Sequence, residues 1–136
     1  MTSDEILAMK PGRALDAQVA EKVMGWTWAE TNEGLEGLFP PQEFAIHGFK
    51  PILIFNDLGH LHGMPEYSTD ITPAWEVAEK FDNMTLRKMR EADGNVRHSV
   101  YMWLENIINN PMIMYKADTL PEAICKAALL AKDAQP

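Results

Sequence analysis

The sequence predicts an α+β protein built as a layered α-β-α sandwich, with about three helices on a small antiparallel sheet of three to four strands. Apolar residues recur at helical spacing near the start, the middle and the end of the chain. Between the last two of these segments they alternate at the strand period, and the strand-like runs follow one another through short turns. Adjacent strands joined by short turns pair antiparallel, and the helices must then bury their apolar stripes against the faces of that sheet.

The first helix spans residues 12–24, where Leu15, Val19 and Val23 recur every four positions and Asp16, Glu21 and Lys22 fall on the remaining surface. Residues 25–41 contain Trp26, Trp28, three glycines and Phe39-Pro40-Pro41, and read as a loop or weak strand region with aromatic anchors. Phe44, Ile46, Phe49 and the run Ile52 to Phe55 have strand composition, interrupted by Gly48 and Pro51. A second helix begins at Thr72-Pro73, proline being favoured at a first helical position. It carries Ile71, Ala74, Trp75, Ala78 and Phe81 on one face as core and ends near Asp82-Asn83.

Asp93-Gly94 is a hairpin-turn dipeptide, and Val96, His98, Val100, Met102 and Leu104 alternate after it, so residues 84–104 form a hairpin rather than one helix. Asn109-Asn110-Pro111 turns the chain into Met112 to Tyr115, an apolar run suited to a strand covered on both faces. The last helix opens with Thr119-x-x-Glu122, a capping box, and presents a stripe of Ile124, Ala127, Ala128 and Ala131 small enough for close packing.

With 136 residues, 46% of them hydrophobic, the chain is the size of one domain with a real core. A single cysteine, and no basic stretch leading into an apolar run at the N-terminus, favour a reducing cytoplasm. No stretch of roughly 18 apolar residues exists to span a bilayer, so no membrane partner is expected. The net charge of −8 is uneven. Residues 1–79 hold 13 Asp or Glu against 4 Lys or Arg, whereas residues 80–136 hold 7 against 8. The one basic concentration is Arg87, Lys88, Arg90 and Arg97, interrupted by Glu91 and Asp93, which argues against binding of long nucleic acid.

Three segments carry a family resemblance. Gly12-Arg13-x-Leu15-Asp16 leads into Val19 to Trp26; Tyr67-Ser68-Thr69-Asp70-Ile71 is followed by Ala74-Trp75-Glu76-Val77; and Ala117-Asp118-Thr119 precedes Pro121 to Cys125. In this order they resemble the phage ABA sandwich domain family. The resemblance implies an α-β-α fold over residues 1–136 in a bacteriophage or prophage protein, located in the cytoplasm of the infected or lysogenic host, and it brings no catalytic residues. Residues 27–64 look longer than the family's usual link and read as an insertion.

Ser68, Thr69 and Asp70 stand at a helix start, where they can cap orphan N–H groups; alternatively, Ser68 and Thr69 help present those donors to an anion such as a phosphate. His60 and His62 are the weak candidates for a metal, with His47, His98, Asp57 or Glu66 as further ligands, but no recognised metal-ligand spacing supports them. No nucleophile elbow, triad, Walker or dinucleotide motif is present, so no cofactor is expected and an enzyme ranks behind a binding protein. On the predicted hairpin Arg87 and Arg97 stand near Tyr101 and Trp103, a patch suited to a small planar anion such as a nucleotide signal of host defence, held by Arg87, Arg90 or Arg97 with a Tyr or Trp, or to a protein partner. These are the two functional readings: sequestration of a small anionic ligand, or a module that inhibits or redirects a host protein. Open strand edges and surplus aromatics add an expectation of self-association into a homo-oligomer.

Overall fold

The computed structural model describes residues 2–30, 36–39, 41, 65–103 and 112–134. Their order is α1 (Ser3–Ala8), α2 (Arg13–Lys22), β1 (Thr27–Glu30), β2 (Glu36–Phe39), α3 (Ile71–Ala78), β3 (Met84–Arg90), β4 (Val96–Trp103), β5 (Met112–Ala117) and α4 (Leu120–Ala134). Strands β3, β4 and β5 form an antiparallel sheet in that order, and β1 pairs with β2 in a separate antiparallel ribbon. The fold is an α+β sandwich, as the sequence predicts. The strand composition at Phe44 to Phe55, the histidine-bearing loop at 60–62 and the turn at 109–111 lie outside the described residues.

Helix α4 is the centre of the layer. Its first turn is closed by Thr119, whose hydroxyl accepts from the Glu122 N–H at 3.4 Å, so the N-cap half of the predicted capping box is present. Ala123, Ile124, Cys125, Ala127, Ala128, Leu129 and Ala131 are all buried. So many alanines let β4, β5, α1, α2 and α3 all pack against one helix. Even Lys126 is only 4% exposed: its ammonium donates to the Leu7 carbonyl and the Tyr115 hydroxyl, both at 3.2 Å, and lies 3.7 Å from the Glu122 carboxylate. It thereby satisfies an orphan carbonyl at the end of α1.

Four helices are present among the described residues, one more than the sequence reading gives. The addition is α1, capped by the Thr2 hydroxyl accepting from the Glu5 N–H at 3.2 Å and anchored by buried Ile6. The spacing Thr2-x-x-Glu5 was its signal.

The second predicted helix exists but starts and faces differently. The Asp70 carboxylate accepts from the Thr72 N–H, so α3 begins at Ile71 and Pro73 falls at its third position, where the missing N–H still has no helical partner to lose. The helix stops at Ala78, short of Asp82. Its buried face is Ala74 and Val77, with Ala78 half-buried, whereas Ile71 is 46% and Trp75 50% exposed. This corrects the placement of Ile71 and Trp75 in the core. The helix approaches alanine-rich α4 through its own alanines, and a buried indole would force the two apart.

The hairpin over residues 84–104 is present as β3 and β4. Residues 91–95 join them: the Glu91 N–H donates to the Asn95 carbonyl and the Gly94 N–H to the Glu91 carbonyl, Gly94 takes φ +88°, and the Asp93 carboxylate accepts from the Asn95 N–H at 2.9 Å. Strand β5 corrects a further expectation, because it is covered on one face only. Met112 and Met114 are about half exposed, while Ile113 and Tyr115 are half-buried toward α4.

In chemical denaturation, Trp75→Ala is expected to cost less than about 1 kcal/mol, because half the ring already meets water. Ile124→Ala, wholly buried, should cost about 2 to 5 kcal/mol. Equal losses would contradict this packing.

Candidate functional site

The three motif segments of the resemblance meet in one buried polar cluster. Asp16 is fully buried, although the sequence reading left it on the polar face of its helix. Counted from Asp16, Val19 and Ala20 are its i+3 and i+4 neighbours and both are buried, so the stripe includes the acid. One oxygen of its carboxylate accepts from the Ser68 N–H at 2.7 Å and the Ser68 hydroxyl at 2.6 Å; the other accepts from Arg13 at 3.1 Å. The Ser68 hydroxyl oxygen in turn accepts from the Gly12 N–H at 2.8 Å and lies 3.2 Å from the Gly12 carbonyl. Gly12 holds φ +151°, a conformation that disfavours any side chain, at the N-cap of α2.

The third motif enters through Cys125, whose thiol donates to the Tyr67 carbonyl at 3.1 Å. Burial, with a smaller contribution from the Asp16 charge, pushes the Cys125 thiol well above its ordinary range. Burial likewise raises the Tyr67 phenol to about 12, helped by the Glu76 carboxylate and opposed by the hydrogen bond from Trp26. Both groups stay protonated at neutral pH, and the hydrogen bond from the Cys125 thiol to the Tyr67 carbonyl clasps α4 to the turn before α3.

The surface-exposed chemistry lies on the opposite side of the sheet. Cross-strand register sets Leu86, Val100 and Tyr115 in one row, and Met84, Met102 and Ile113 in another, on the face that meets α4. The other face carries Thr85, half-buried Tyr101 and Met114 in one row, Arg87 and Lys116 flanking a buried Ser99 in the next, and Trp103 beside Met112. Trp103 is 54%, Met114 53% and Met112 48% exposed. The basic end of this face is partly neutralised: Arg97 pairs with Asp118 at 2.7 Å, and Lys116 with Glu91. Arg87 is exposed and makes no ion pair among the described residues.

Of the residues singled out from sequence, Arg87, Arg97, Tyr101 and Trp103 share this open face. Arg90 points to the other, where its guanidinium donates to the Gly94 carbonyl in the hairpin turn. Ser68 is buried in the Asp16 cluster, and Thr69 is exposed in the turn before α3. His60 and His62 lie outside the described residues. Among the described residues no three His, Cys, Asp or Glu gather as a metal site, and no helix is long and apolar enough to cross a membrane.

Met112 and Met114 were missed as surface residues. Their alternation with Ile113, Tyr115 and Ala117, and their register with Lys116, carried the signal.

The fold agrees with what the chain is similar to. The family described as Phage ABA sandwich domain matches residues 17–129, and the chain belongs to that family. A crystal structure of a phage protein from Bacillus cereus ATCC 14579, at 2.0 Å, is 26% identical, with a TM-score of 0.56 over 91% of this chain and 93% of that one. No curated protein matches.

Because Cys125 and Tyr67 keep their protons to higher pH in the folded chain, their contribution leaves stability level up to about pH 9, where the unfolded thiol ionises. Stability then falls as pH rises through 10, where unfolded Tyr67 follows, toward 12. Urea titrations of the wild type should show that decline. In Cys125→Ala its onset should move to about pH 10. Stability that stays level through pH 11 would contradict the buried, protonated pair.

Proposed function

We propose that this phage-family domain is a non-enzymatic protein-binding module that acts through the open face of the β3–β5 sheet to inhibit or redirect a protein of the bacterial host, in the host cytoplasm. The observation that carries the reading is the co-exposure of Trp103, Met112 and Met114 on one face beside Arg87. Trp, Met, Tyr and Arg are the residues enriched at the cores of protein interfaces, and methionines adapt their shape to a partner's apolar side chains. Water-exposed apolar groups concentrated on one side of a small domain mark an interaction surface more often than chance exposure does.

A second reading rests on Arg87. It has no carboxylate partner among the described residues and stands diagonal to Tyr101 across β3 and β4, a geometry suited to a small anion stacked on the ring. The two readings separate on the apolar end of the face, which a small anion does not need.

Co-purification from host cells compares the wild type with Met114→Asp and Arg90→Ala. A host protein retained by the wild type and by Arg90→Ala, and lost with Met114→Asp, is the expected result. Retention by Met114→Asp would contradict the surface. A nucleotide-dependent thermal shift abolished by Arg87→Ala but unaffected by Met114→Asp would favour the small anion instead.

A further inference from the structure

The sheet and the helix layer carry opposite charge. Strands β3, β4 and β5 hold Arg87, Lys88, Arg90, Arg97 and Lys116 and not one Asp or Glu, in a chain whose net charge is −8; Arg87, Arg97 and Lys116 lie on the open face, where Arg97 pairs with Asp118, Lys116 with Glu91, and Arg87 with no carboxylate among the described residues. Around α3 the balance reverses: Glu66, Asp70, Glu76, Glu79 and Asp82 stand against Lys80 alone.

The exposed face of α3 also has an apolar anchor. At 100° per residue, Ile71, Trp75, Glu79, Thr72 and Glu76 fall within one arc of the helix, all of them exposed, while Ala74 and Val77 face the core. One copy of the chain thus displays an acidic helix face centred on Ile71 and Trp75, and an open sheet face on which Trp103, Met112 and Met114 lie beside Arg87, a cation with no ion pair among the described residues. The first lies on the helix side of the sheet and the second on its open side, so they cannot meet within a copy.

We infer that the open sheet face receives α3 of a second copy, with Ile71 and Trp75 against Met112, Met114 and Trp103, and Glu76 and Glu79 toward Arg87, which has no ion pair among the described residues. This rests on the reading of that face as a protein-binding surface, and it makes self-association and capture of a host protein compete for it. Isologous stacking of two sheet faces is disfavoured because it brings no carboxylate of β3, β4 or β5 to Arg87 of either copy, whereas α3 brings Glu76 and the adjoining Glu79. A contact between unlike faces is heterologous, so it closes as a ring or continues as a filament.

Its strength is modest. An eight-residue helix is about 12 Å long, and three strands of this length present a face of about 23 by 14 Å. That is well short of the roughly 800 Å² per partner of a standard interface, so association should depend on concentration across the micromolar range and weaken with salt.

The test is sedimentation of the wild type, Trp75→Glu and Met114→Glu, singly and mixed, with thermal melts to establish that each exposed-site variant is folded. The wild type is expected to grow beyond 15.4 kDa with concentration. Each variant alone should remain a monomer, and an equimolar mixture should stop at a dimer, because each variant supplies the intact half that the other lacks. A wild type that stays at 15.4 kDa throughout overturns the inference and leaves the host-protein reading to its own test. Association retained by Trp75→Glu but lost by Met114→Glu overturns the helix half alone. Association retained by Met114→Glu overturns the sheet half of the inference, and a mixture that stays monomeric shows that the faces are not complementary.

Discussion

The buried carboxylate of Asp16 is the constraint on which the helix layer depends. A charge removed from water must be matched by donors placed for it, and here three converge: the Ser68 N–H, the Ser68 hydroxyl and Arg13. Meeting them fixes α2 against the turn that starts α3, two segments 52 residues apart in sequence. Cys125, bonded to the carbonyl of Tyr67 one residue earlier, brings α4 to the same point. The three sequence segments that resemble the family are therefore the three sides of one polar clasp, which explains their short polar residues in an otherwise apolar layer.

From that clasp the rest follows by geometry. Its position sets α4 at the centre, and the alanines of α4 allow five elements to approach it. The sheet spends one face on α4 and leaves the other to Trp103, Met112 and Met114. The same close approach that admits Ala74 and Val77 of α3 turns Ile71 and Trp75 outward. Tight packing by small residues inside and large apolar residues on two outer faces are thus one phenomenon, and those outer faces are where binding is proposed.

Much of the fold was legible in the sequence, and the limits have physical causes. The hairpin was readable because Asp93-Gly94 supplies both an Asx turn and a residue at positive φ between alternating runs. Helix α4 was readable from its capping box and alanine stripe. Trp75 was misplaced because periodicity finds the apolar arc of a helix but not which part of it meets a partner. Only the size match with α4 decides that, and it is a tertiary fact. Asp16 was misplaced for the converse reason: a charged residue reads as surface unless its donors are known, and Ser68 lies far along the chain. Hairpin register alone sets Arg87, Arg97, Tyr101 and Trp103 on one face, whereas Arg90 has the opposite parity.

The most direct measurement of the central claim is a double-mutant cycle on the clasp, with Asp16→Ala, Ser68→Ala and the pair compared by equilibrium unfolding. Each single change strands buried groups and should cost about 2 to 4 kcal/mol, while the second change adds little once the first is made, giving a coupling of about 1 to 3 kcal/mol. Losses that add to within about 0.5 kcal/mol would mean that the two side chains act independently, and that the helix layer is held by its apolar packing alone.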